Sequence, residues 1–334
     1  FSLKIIVTGC AGFIGFHLCK RLLIEGEEVI GIDNINSYYD IKLKNARLKE
    51  LHLLSKVKNY KWHFFEENIE DEDKIRDIFK RFKPSKVVHL AAQAGVRYSL
   101  INPKAYIKSN ILGFGNLIEL SRIFKVKNFI YASSSSVYGG NEKVPFQEKD
   151  PVDHPVSLYA ASKRSNELIA HTYSHLYDLP CTGLRFFTVY GPWGRPDMAP
   201  MIFADAIFAK KPINIFNNGD MFRDFTFIDD VIESVFRLIY KSAQKNINFK
   251  NNISDSDPSS SWAPFKILNI GNNKSIKLME FIRVIENEIG EEAIKIFKPM
   301  QPGDVKKTFA DTSEVEKITS YKPSTSINIG VKIF

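Results

Sequence analysis

Tyr159 and Lys163 stand four residues apart in Tyr159-Ala160-Ala161-Ser162-Lys163. On a helix that spacing puts both side chains on one face. A phenol of pKa about 10 is a poor base near neutrality, but a neighbouring ammonium favours its ionised form. The pair could therefore act as a general acid/base toward an alcohol. Upstream, Ser133-Ser134-Ser135-Ser136 follows the apolar run Asn128-Phe129-Ile130-Tyr131-Ala132. Hydroxyls there can donate and accept, and so could orient a substrate hydroxyl against the base. Neither feature is specific alone. A Tyr and a Lys often share a helical face by chance, and serines are common in strand-to-loop turns.

A third feature supplies context. Gly9-Cys10-Ala11-Gly12-Phe13-Ile14-Gly15 follows the short apolar run Lys4-Ile5-Ile6-Val7-Thr8 and opens a helical pattern. The first glycine allows a tight turn, the second a close approach of backbone to a pyrophosphate, and the third close helix–strand packing. The helix N-terminus offers free N–H groups and partial positive charge to a diphosphate. Asp33 ends the next apolar run, Glu28 to Asp33, where it can hydrogen-bond ribose hydroxyls and would repel a 2′-phosphate. That favours NAD over NADP. A purely structural turn with a solvated Asp is the plainer alternative.

The elements that must position these residues alternate. Strands are expected at 4–8, 28–33, 86–90, 128–132 and 181–187, and helices at 12–25, 74–82, 110–124 and 159–177. Alternating strands and helices predict an α/β fold with a parallel sheet covered on both faces. Ser133 to Ser136 then lies at the carboxyl edge of the sheet, where open α/β folds bind ligands. Beyond Gly191, Pro192, Pro196, Pro200 and Pro212 break the rhythm. Short strands at 225–230, 267–270 and 294–297, with helices at 199–210, 231–242 and 278–289, predict a smaller α/β domain interleaved with the first. The expected division is 1–185 and 186–334. Residues 251–261, rich in Ser, Asp and Asn, read as a surface loop. The chain ends at Phe334 within a last helical pattern.

Composition excludes little but bounds much. The chain has 334 residues, 44% of them hydrophobic and 25% charged, ordinary for a globular protein with a sizeable core. No apolar run reaches the roughly 18 residues of a membrane span. The stretch from Phe1 shows no signal-peptide pattern, and Cys10, Cys19 and Cys181 have no metal or disulfide spacing. These features are expected of a cytoplasmic protein with neither a metal nor a membrane partner. The net charge of +8 is spread along the chain without a basic run. It suits a solvated surface or an anionic small substrate better than nucleic acid.

In order and spacing these motifs resemble the extended short-chain dehydrogenase/reductase family, over nearly the whole chain. The resemblance implies a Rossmann-type doubly wound parallel sheet with a smaller, interleaved C-terminal substrate domain. Its glycine turn matches Gly9, Gly12 and Gly15, its catalytic Tyr and Lys match Tyr159 and Lys163, and its catalytic hydroxyl falls on Ser134. NAD is the implied cofactor, tightly bound and recycled. Residues matching its cofactor contacts are Phe13, Ile14, Asp33, Asn34, Asn68, Ile69, Leu90, Ala91, Ala92, Asn110, Phe186 and Val189. Asn68 stands where many relatives carry Asp. Arg223-Asp224-Phe225 and Pro302-Gly303-Asp304 match segments that hold a nucleotide diphosphate and ribose, which implies a UDP-sugar partner.

The finer resemblance is to UDP-glucuronate 4-epimerases. Gln301 and Thr188 stand where UDP-galactose 4-epimerases usually carry Arg and Asn. Sugar-nucleotide 4,6-dehydratases need an Asp–Glu pair that would fall on Ser135 and Ser136, and decarboxylases usually have Glu at the second position. The implied reaction inverts carbon 4 of a UDP-hexuronate through a 4-keto sugar, a β-keto acid prone to lose carbon dioxide. Ser135, Ser136 and Thr188 are expected to hold its carboxylate, with Arg195 or Arg97 supplying charge, and Arg223, Gln301 and Asp304 to hold the nucleotide. Lys163 is expected to depress the Tyr159 pKa. A homodimer on a four-helix interface is implied, with helices 110–124 and 159–177 supplying the two from each subunit. A 4-epimerase of a neutral UDP-sugar and a non-catalytic NAD-binding regulator are the alternatives.

Overall fold

The computed structural model describes residues 2–249, 257–301 and 304–334. Its centre is a seven-stranded sheet: β1 (Lys4–Thr8), β2 (Glu28–Asp33), β3 (Trp62–Glu66), β4 (Lys86–His89), β5 (Phe129–Ser134), β6 (Cys181–Phe186) and β7 (Phe265–Ile270). The order is β7-β6-β5-β4-β1-β2-β3 and every pairing is parallel. The chain runs outward from β1 to β3, then returns to the other side of β1 at β4. The crevice at the carboxyl ends of β1 and β4 is thus a topological switch point, where open α/β sheets bind ligands.

Alternate strand residues feed two cores. Ile5, Val7, Val88, Ile130 and Leu184 pack on one face with α1 (Phe13–Ile24) and the helix Ile228–Ile239. Ile6, Ile30, Val87, Phe129 and Tyr131 pack on the other. That face is covered by α3 (Glu72–Phe82), α4 (Gly113–Ile123) and α5 (Leu158–Tyr177). Between β2 and β3 runs α2 (Ile41–Lys58). Burial of both faces is what turns the strands into near-continuous apolar runs.

The expected elements appear with shifted ends, and three points differ. The helix expected at 110–124 begins earlier, as a π-helical turn Ile107–Leu112 that carries Asn110 into α4. The strand expected at 225–230 is cut short: Phe225–Phe227 is strand, but Ile228 starts a helix. Asp229 and Asp230 in that first turn complement the helix dipole, which their place behind an apolar run disguised. Thirdly, 267–270 belongs to β7 and forms the edge of the central sheet beside β6.

The later segments form three two-stranded pairs: Thr188–Tyr190 with Phe225–Phe227, Phe222–Arg223 with Ile276–Lys277, and Pro212–Ile215 with Ile294–Phe297. Helices Ala199–Phe208, Leu278–Ile289 and Ile327–Ile333 pack around them, with Phe225 and Phe281 stacked at 3.9 Å. Of the expected surface loop at 251–261, residues 251–256 lie outside the described residues, as do Pro302 and Gly303. Among the described residues no helix is long and apolar enough to cross a membrane.

Candidate active site

Gly9 sits at φ +72, and a Cβ there would lie 2.8 Å from the Ala91 nitrogen. A Cβ on Gly15 would overlap the Gly9 carbonyl oxygen. The turn can be this tight only because both residues are glycine. It delivers the N-terminus of α1, capped by no side chain, to the crevice. Asp33 faces the turn, its Oδ2 accepting from Ala11 N and its Oδ1 from Ile35 N, both at 3.0 Å. Across the switch point, Thr8 Oγ1 accepts from Leu90 N and Ala91 N, both at 3.1 Å. Its own proton therefore points to His89 Nδ1, 2.8 Å away. Burial holds His89 down at about 3, so the ring is a neutral acceptor. These features fit a dinucleotide: a turn kept tight by glycines, a helix start capped by no side chain, and an acid at the end of the next strand.

A cleft of about 980 Å³ continues from this turn past the serines to the second set of strands. Its wall contains Gly9, Gly12, Phe13, Ile14, Gly15, Asp33, Asn34, Ile69, Leu90, Ala91 and Ala92 on the dinucleotide side. Ser134, Ser135, Ser136, Tyr159, Lys163, Phe186, Thr188 and Val189 belong to the same wall, with Arg195 near Tyr159, as do Arg97, Arg223 and Asp304. Three expected site residues stand outside the wall. Asn68 Oδ1 accepts from Glu70 N. Buried Asn110 accepts from Gln93 N at 2.8 Å and donates to Ser162 Oγ at 3.0 Å, tying its π-turn to α5. Gln301 has a buried Oε1 without a partner among the described residues.

Ser157 caps α5, its hydroxyl accepting from Ala160 N. Tyr159 and Lys163 then follow on one face. Burial leaves the Tyr159 phenol above its ordinary value, against the smaller opposing effects of the Ser134 hydroxyl and the Arg195 charge. Lys163 donates from Nζ to Ala132 O at 2.9 Å, and burial lowers its pKa to about 8. Ser134 itself ends β5, with its hydroxyl 3.1 Å from that of Ser136 and accepting from Ser136 N.

Each of the three arginines in the wall is engaged. Arg97 pairs with Asp304 at 3.2 Å and lies over the Phe216 ring. Arg195 pairs with Asp197. Arg223 donates to the Phe222 and Lys306 carbonyls, and burial lowers its pKa. Sequence reasoning missed Tyr38, Asp197 and Phe216. Tyr38 follows Asp33 by one loop, and Asp197 follows Arg195 by two residues, their only signal; Phe216 had none, because its contact with Arg97 is made by the fold.

A family model described as GDP-mannose 4,6 dehydratase matches residues 6–334. Protein CapI of Staphylococcus aureus is 52% identical, over 99% of this chain and 97% of its own. A protein of Rhizobium meliloti (strain 1021) named "Probable UDP-glucuronate 4-epimerase" is 45% identical, over 99% and 96%. The crystal structure of UDP-glucuronic acid 4-epimerase from Bacillus cereus, in complex with UDP-glucuronic acid and NAD, superposes with a TM-score of 0.84 at 33% identity. It covers 99% of this chain and 97% of that one.

Proposed function

Because the chain belongs to the GDP-mannose 4,6-dehydratase family, within the extended short-chain dehydrogenases/reductases, we propose that it is an NAD-dependent UDP-glucuronate 4-epimerase. One observation carries this reading: a single cleft is lined by the glycine turn, by Tyr159, Lys163 and Ser134, by hydroxyls at 135 and 136, and by Arg97, Arg195 and Arg223. A dehydratase would need carboxylates at those two positions to eliminate water. Relatives named for the epimerase, and a solved epimerase holding UDP-glucuronic acid and NAD, support it.

Bound NAD supplies a hydride acceptor, and then a hydride donor, at carbon 4. Tyr159 takes the proton from the carbon-4 hydroxyl and returns it once the 4-keto sugar has turned over, so the protein ends as it began. Ser134 holds that hydroxyl toward the phenol. Lys163, fixed by Ala132, is placed to hold the nicotinamide ribose. Ser135, Ser136 and Thr188 meet the sugar carboxylate and hold it in an orientation that disfavours loss of carbon dioxide. Gly9, Gly12, Phe13, Ile14, Gly15, Asp33, Asn34, Asn68, Ile69, Leu90, Ala91, Ala92, Phe186 and Val189 belong to the dinucleotide side, and Asn110 acts there through Gln93 and Ser162. Arg223, Gln301 and Asp304 belong to the nucleotide of the sugar, and Arg195 or Arg97 supplies charge toward its carboxylate. Residues 1–185 then form the dinucleotide domain and 186–334 the sugar-nucleotide domain, with β7 crossing between them. Three buried free cysteines suit a reducing cytoplasm.

The test is incubation of purified protein with UDP-glucuronate, read by chromatography and mass. The expected product is UDP-galacturonate of unchanged mass, with Tyr159→Phe slower by about 10²-fold or more. A product lighter by water or carbon dioxide, or a Tyr159→Phe rate near wild type, would refute the reading.

A further inference from the structure

Asp197 takes no part in the chemistry just described, yet its carboxylate accepts three hydrogen bonds at the cleft wall. Arg195 Nε donates to Oδ1 at 3.0 Å and Arg195 Nη2 to Oδ2 at 2.5 Å. Tyr38 Oη donates to the same Oδ2 at 3.1 Å. Tyr38 is itself fixed: its ring packs on Tyr98 at 4.9 Å, and a Cβ on Gly95 would lie 2.6 Å from its hydroxyl. Burial pushes the Asp197 carboxyl up, but the Arg195 hydrogen bonds and charge outweigh it and leave Asp197 below its ordinary value. The Arg195–Asp197 pair is therefore held ionised and in place.

Such a pair is net neutral. It also occupies the Nε/Nη2 edge of the guanidinium, one of the edges through which an arginine chelates a carboxylate with two parallel bonds. A sugar carboxylate entering beside Tyr159 would find Arg195 already paired, neutral hydroxyls on Ser135, Ser136 and Thr188, and a second anion close behind. Arg97 is likewise paired, with Asp304.

We propose that Asp197 is a specificity-determining residue: by pairing with Arg195, it restrains the preference of the sugar end for an acidic over a neutral hexose. The inference rests on the sugar-nucleotide reading above and concerns only the substituent on carbon 5. Asp197→Asn keeps the shape and leaves an amide oxygen for Arg195 and Tyr38, but removes the charge. Tyr38→Phe does the reverse, loosening the anchor while the charge stays.

The experiment measures calorimetric Kd values for UDP-glucuronate, UDP-glucose and UDP on NAD-loaded wild type, Asp197→Asn and Tyr38→Phe. In Asp197→Asn the preference for UDP-glucuronate over UDP-glucose should rise about tenfold, the order expected for removing a nearby like charge. UDP affinity should stay within twofold, and Tyr38→Phe should keep the wild-type preference. An unchanged preference in Asp197→Asn would overturn the proposal. So would equal weakening of all three ligands, the mark of a merely structural role, or an equal gain of preference in Tyr38→Phe. If wild type binds UDP but neither sugar nucleotide, both the inference and the reading beneath it fail. If it epimerises UDP-glucuronate while the preference does not move, only the inference does.

Discussion

Glu148 is buried, its Oε1 accepting from Asn269 N at 3.0 Å. Burial raises its pKa to about 7 against that hydrogen bond, and burial likewise raises Asp224 to about 6. A carboxyl whose pKa is raised on folding holds a proton that the unfolded chain releases. Its stabilising contribution is complete below about pH 4.5 and is lost as pH climbs toward 7. Glu148→Gln cannot ionise, so its urea midpoint should fall less than that of wild type between pH 5 and 7.5; parallel declines would contradict the assignment. Glu148 had no signal in the sequence, and Asp224 was marked only as part of the segment Arg223-Asp224-Phe225; the burial of both was hidden because a carboxylate's surroundings come from distant strands. Tyr159, Lys163, Ser134 and the glycines were legible because each belongs to a short local pattern. Tyr38 and Asp197 were not, since their bond joins positions 159 residues apart.

At the scale of elements, α5 carries more than its two expected residues. Glu167 continues the face of Tyr159 and Lys163 and meets Arg185 of β6 in a two-point pair, both contacts at 2.9 Å and both side chains fully buried. Ser133 Oγ, next to Ser134, donates to the same carboxylate at 2.7 Å. The clamp sets the register between the helix bearing the base and the strand bearing the hydroxyl. Glu167→Ala strands a buried guanidinium and should cost about 3–5 kcal/mol in urea unfolding. A loss below 1 kcal/mol would show that water reaches Arg185. The alternation of strands and helices was readable because both sheet faces are buried. The gap was 41–66, left without elements. On α2 the buried positions are Lys44, Arg47, Leu48 and Leu51, so two cations interrupt the apolar stripe. In β3 no residue is fully buried, as befits an edge strand.

For the molecule as a whole, we propose a homodimer. Leu168 and Leu176 on α5 and Leu112 beside α4 are each more than half exposed, on the two helices expected to form the interface. Leu168→Glu with Leu176→Glu should convert a dimer to a monomer in sedimentation; an unchanged sedimentation coefficient, or a monomeric wild type, would rule that face out. The layered fold was foreseeable from local periodicity, but the crossing of β7 into the main sheet was not, because strand pairing is decided by topology. One buried cation bears on how the halves communicate. Arg47 donates to Ala11 O in the glycine turn at 2.8 Å and to Trp193 O at 2.5 Å, in the loop that leads to Arg195. Arg47 therefore ties the glycine turn to the loop before Arg195. A ligand that tightened its companion through this link would itself be tightened by the same factor, by thermodynamic reciprocity.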